Sequence, residues 1–153
     1  MGAWGIKALE SDSGLDVIDL LEANYNGKYE LLLSEIITLC LKEEFLSKDE
    51  NDIDFFYDNT SIALAELIVM FKKDGEFDYD NEDDKISLRK KKSFRTDKSS
   101  IEFILKNLID IKNEKPDEDG EREYVELWKE SDSYNDWKNH LESIIVELSN
   151  EVK

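Results

Sequence analysis

The chain contains a single cysteine, a single histidine and a single proline, with six glycines spread over 153 residues. One cysteine excludes an internal disulfide framework. One cysteine and one histidine together exclude a zinc site built from nitrogen and sulfur ligands. Cys40 lies in Ile36-Ile37-Thr38-Leu39-Cys40-Leu41, an apolar helical run. A thiol there is expected to be buried and inert, because a reactive one needs an exposed, electropositive setting. Long hydrophobic runs are also missing. Ile62 to Phe71 is the longest apolar stretch, holds Glu66 and is too short to span a bilayer. The start carries no basic segment leading into an apolar one, and Ile6 stands where a myristoylation motif wants Ser or Thr. A soluble, cytoplasmic chain is expected.

Positive charge is scarce. Twenty Lys and Arg face 38 Asp and Glu, a formal net charge of −18. Such a field repels nucleic acid and anionic membranes and attracts basic proteins or cations. The apolar fraction of 40% suffices for one core, so residues 1–153 are read as a single domain.

What the chain does have is helical periodicity. Asp12 or Ser13 is expected to cap a first helix whose apolar face is Leu15, Ile18 and Leu21, ending near Asn24–Gly27. A second helix is expected from about residue 28 to Leu46, with a stripe wide enough to be buried on more than one side. Residues 47–59 read as a polar loop or short helix that drops Phe55, Phe56 and Tyr57 into the core. Asn59 or Thr60 then caps a third helix over Ser61–Lys73. Ile101 to Ile111 define a fourth, broken by Pro116 and Gly120. Tyr124 to Trp128 define a fifth, and Trp137 to Leu148 a sixth. The fold class is all-α, a compact bundle of about five to six helices by this counting.

Residues 74–100 stand apart. Asp74, Glu76, Asp78, Asp80, Glu82, Asp83 and Asp84 form an acidic block, and Lys85, Arg89, Lys90, Lys91, Lys92, Arg95 and Lys98 a basic one. Few apolar residues support either, so the segment reads as a charged insertion. A short hairpin fits it, with Phe77 and Tyr79 on one arm and Ile86 and Leu88 on the other.

The two ends of the chain resemble a bacterial family of unknown function. The opening Met1-Gly2-Ala3-Trp4-Gly5, followed by Glu10-Ser11-Asp12 and Asp16, is similar to that family's Met-Gly-Ala-Trp-Gly start and acidic triplet. Leu127-Trp128-Lys129-Glu130-Ser131 and then Trp137 resemble its closing Leu-Trp-x-Glu-Ser and Trp-containing helix. Ala63-Leu64-Ala65-Glu66 fits its middle. The chain departs from the pattern at Ile6–Leu9 and in the insertion. The resemblance implies a small, mainly helical domain and no particular activity.

Few motifs carry chemistry. Asp78-x-Asp80-x-Glu82 begins like a calcium loop, but Asp83 stands where Gly is needed and Arg89 where Glu is needed. No metal and no cofactor are expected. With 38 carboxylates no acid pair is diagnostic. Glu10, Asp12 and Asp16 read as helix-capping and backbone-bonding groups. His140, at the edge of an apolar helix face, reads as structural. Trp4, Trp128 and Trp137 read as core anchors. The basic run Lys85–Lys98 is opposed by the charge around it, so nucleic acid is not an expected partner.

Two functional classes remain. One is a protein-binding module, an acidic immunity or inhibitor protein neutralising a basic bacterial toxin. Its expected contacts are the clustered acids Asp49, Glu50, Asp52 and Asp54, and Asp78, Asp80, Glu82, Asp83 and Asp84. The other is a small enzyme or ligand-binding domain using Trp4 with Glu10, Asp12 and Asp16.

Overall fold

A computed structural model describes residues 5–25, 30–49, 51–75 and 93–152. Among these, six helices and one pair of short strands follow in the order α1 (Asp12–Tyr25), β1 (Glu30–Leu32), α2 (Leu33–Lys42), α3 (Phe55–Asp74), β2 (Ser93–Arg95), α4 (Lys98–Lys112), α5 (Glu123–Lys129) and α6 (Tyr134–Glu151). The fold is mostly helical, as the periodicity implies.

Helix α3 is the element around which the others pack. It touches α1, α4, α5 and α6, and every residue from Asp58 to Ile68 is buried. A helix buried all round has no polar stripe to give it away, and its polar residues must find partners inside. In the same core are Val17, Ile18 and Leu21 of α1, Leu33 and Ile36 of α2, Ile104 and Leu108 of α4, and Leu141, Ile144 and Leu148 of α6. Trp128 and Trp137 stack with ring centroids 5.6 Å apart and planes 9° from parallel.

Several boundaries differ from the sequence reading. Ser11, not Asp12 or Ser13, caps α1: its hydroxyl accepts from the Gly14 N–H (3.0 Å) while donating to the Ala8 carbonyl (2.6 Å). Of the expected second helix, Leu33–Lys42 is helical, but Glu30–Leu32 is a strand. It pairs in parallel with Ser93–Arg95, a contact across some sixty positions that local periodicity does not encode. After Lys42 the backbone turns left-handed at Glu44 (φ 63°) and the helix cannot continue to Leu46.

Helix α3 starts earlier than expected. Asp54 caps it, accepting from the Phe56 N–H at 2.8 Å, so Phe55–Tyr57 form its first turn rather than a loop. Phe56 meets Phe45 edge-on (centroids 4.7 Å apart) and Phe55 meets Tyr124 (4.9 Å), which pins that turn to the core. The helix ends in Gly75 at φ 68°. Asp97 caps α4, accepting from the Ser100 N–H (3.0 Å) and from the Ser99 and Ser100 hydroxyls. The expected hairpin arms, Phe77–Tyr79 and Ile86–Leu88, lie outside the described residues.

Candidate functional site

The acids expected to bind a partner divide three ways. Glu50, Asp78, Asp80, Glu82, Asp83 and Asp84 lie outside the described residues. Asp49 and Asp54 are exposed, and both also hold the local backbone: Asp49 Oδ1 accepts from the Asn51 N–H at 2.9 Å, and Asp54 is the α3 cap. Asp52 is exposed and, with Glu44 and Tyr57, lines an open groove of about 650 Å³ floored by Leu41 and Leu46. The Tyr57 hydroxyl is held above its ordinary pKa, first by burial and then by the charges of Asp52, Asp54 and Glu44. Glu44 from the turn after α2 and Asp52 from the turn before α3 thus share one groove with Tyr57, and Lys42 and Lys48 line it as well.

At the amino terminus, Gly2 and Trp4 lie outside the described residues. From Gly5 onward the segment folds back across the start of α1. A Cβ on Gly14 would stand 2.0 Å from the Ala8 carbonyl oxygen and 2.8 Å from the Leu9 Cα, so this close crossing of two backbones requires glycine. A Cβ on Gly5 would stand 2.5 Å from the Glu10 carboxylate. Glu10 accepts from the Lys7 N–H at 3.2 Å. Asp12 and Asp16 are exposed on the first turns of α1. The Asp16 carboxyl is held above its ordinary pKa by partial burial and then by Asp19 and Asp12. Neither Glu10, Asp12 nor Asp16 lines a described cleft.

The residue that holds this segment is Glu66, from the middle of α3. Its carboxylate is nearly fully buried and accepts three hydrogen bonds. Ala8 N–H donates to Oε2 at 2.8 Å, Leu9 N–H to Oε1 at 2.9 Å, and His140 Nε2 lies 2.7 Å from Oε2. Both carboxylate oxygens thus face backbone N–H donors. Nε2–H is the ring form that matches those acceptors. Glu66 and His140 both open on a cleft of about 330 Å³, lined further by Lys7, Lys73, Asp74, Ser143 and Glu147.

Two more polar residues of α3 reach other elements. Asp58 takes a two-pronged bond from Arg122, Nε to Oδ2 at 2.9 Å and Nη2 to Oδ1 at 2.8 Å, while Arg122 Nη1 donates to the Lys115 carbonyl (2.8 Å). Asn59 Oδ1 accepts from the Tyr124 hydroxyl at 2.8 Å. Sequence reasoning assigned no pairing to Glu66, Asp58 or Arg122. The available signal was a carboxylate embedded in an apolar run, since a buried charge has to be paired. Among the described residues, no cluster of three or more His, Cys, Asp or Glu side chains is placed to hold a metal ion, and no helix is long and apolar enough to cross a membrane.

The family described as Domain of unknown function (DUF4259) matches residues 2–140. That span runs from Gly2, takes in Glu66, Trp128 and Trp137, and ends on His140. No curated protein and no solved structure matches the chain.

Proposed function

The chain belongs to the DUF4259 family, a domain of unknown function, and we propose that it is an acidic protein-binding module that neutralises a basic bacterial toxin as its immunity partner. The observation that carries this reading is the net charge of −18 together with Glu44 and Asp52 lining one open groove with the half-buried Tyr57. A toxin that handles phosphates presents a basic surface. A strongly acidic protein gains association rate against it by steering, and an aromatic ring with carboxylates in the same groove suits a Lys or Arg side chain. Asp49, and the acids Asp78, Asp80, Glu82, Asp83 and Asp84 in the sequence that follows α3, add to the net negative charge.

The test is capture of partners from the host's lysate by the tagged chain, washed at low and high salt. One stoichiometric basic protein, retained at low salt and weakened at high salt, is expected. Glu44→Lys with Asp52→Lys should then weaken the purified pair, mainly by slowing association. The Asp54 cap is left intact so that folding is not disturbed. Retention that ignores both salt and the charge reversals, or no specific partner at all, would sink the reading.

A further inference from the structure

The cleft between the end of α3 and the face of α6 has a function of its own to offer, independent of partner binding. Its chemistry starts at Glu66. That carboxylate already accepts from the Ala8 and Leu9 amides, so a neutral His140 ring that donates Nε2–H to it presents Nδ1 as a lone-pair acceptor. Nδ1 has no partner among the described residues, and the ring is about one-fifth exposed where it lines the cleft. This is how a structure orients an imidazole toward a ligand: one nitrogen is tied to a buried carboxylate and the other is presented.

The remaining lining is charged in both senses. Lys73 lies 3.6 Å from Glu147, and Asp74 follows it on α3. Lys7 adds an ammonium from the amino-terminal segment that Glu66 anchors. Asp74 and Glu147 oppose a highly charged anion such as phosphate. They tolerate a ligand with a single negative group that also carries a donor. The volume, about 330 Å³, falls at the small end of the ligand-pocket range.

We propose that this cleft binds a small hydroxy acid or amino acid, its hydroxyl or amino group donating to His140 Nδ1 and its carboxylate meeting the Lys7 ammonium.

The chain's single histidine makes the test direct. The full chain, labelled in its imidazole, is titrated with glycolate, glycine and acetate at constant ionic strength, and the His140 ring signals are followed. The ring signals should report the Nε2–H form, and glycolate or glycine should shift them saturably. Acetate, which lacks the donor, should bind about tenfold more weakly, and Lys7→Gln should weaken the better ligand about tenfold, the factor expected for one charge-assisted hydrogen bond. Glycolate outdoing glycine would mark a hydroxy-acid site, the reverse an amino-acid site. A ring protonated on Nδ1, no saturable shift with any of the three, or shifts unchanged by Lys7→Gln would overturn the proposal.

Discussion

At the scale of single residues, Glu66 carries more than its share of the architecture. Helix propensity and burial alone would place an apolar residue at its position. A carboxylate there satisfies two main-chain donors of the amino-terminal segment and one ring donor of α6, so three parts of the chain meet on one side chain. Glu66→Gln keeps the shape but offers one acceptor oxygen and points an N–H at the other donors. Each buried donor left unpaired costs about 1–3 kcal/mol. We expect the variant to lose at least that much stability in denaturant melts and to expose the Ala8 and Leu9 amides to hydrogen exchange. Unchanged protection at both amides would mean that the carboxylate does not hold the segment. The residue was visible in the sequence as a charge inside an apolar run. Its partners were not, because Ala8 and Leu9 contribute backbone groups, which no side-chain pattern reveals.

At the scale of elements, apolar spacing of three and four was enough to find the six helices among the described residues, and two of the misplaced ends lie where tertiary contacts set them. The start of α2 is set by a parallel strand pair, and the start of α3 by Phe55 and Phe56 packing on residues outside their own helix. The Asp58–Arg122 pair was equally hidden. It joins α3 to the residue that opens α5, and its members are sixty-four positions apart in an acid-rich chain. Burial holds the Asp58 carboxyl above its ordinary pKa, and the Arg122 bonds and charge counter that only in part. The pair is therefore a means of fixing α5 on α3 more than a net source of stability. Arg122→Ala strands a buried carboxylate and should cost about 3–5 kcal/mol. Asp58→Leu combined with Arg122→Met removes both charges and should cost far less, or even stabilise. If the double variant melts as early as the single one, the packing around the pair matters more than its charge.

At the scale of the whole molecule, the net charge of −18 on 153 residues is a standing self-repulsion that the fold has to overcome. Salt screens it, with a Debye length of about 10 Å at 0.1 M, so the melting temperature at neutral pH should rise with sodium chloride. Acid should act in the same direction at first. The folded-state pKa values of Asp16 and Asp58 are raised, so the folded chain takes up protons before the unfolded one does. Their ionised forms weigh against folding at neutral pH, and that burden lifts as pH falls from those raised values toward the ordinary Asp value of 3.8. Asp97 works the other way. Its carboxyl, bonded by Ser100 and Ser99 at the α4 cap, is held below 3.8, so its contribution is complete above 3.8 and is lost as pH falls through its own lower value. Stability should therefore climb on mild acidification, pass a maximum and collapse in stronger acid. The salt effect should shrink toward zero near the isoelectric point of about 4.4, where the net charge vanishes. Melting curves of dilute protein over a grid of pH and salt measure all of this together. A salt effect that is the same at pH 7 and near pH 4.4 would show that screening of net charge is not its cause, and a steady fall in stability from pH 7 downward would show that carboxylates paired like Asp97 outweigh those crowded like Asp16.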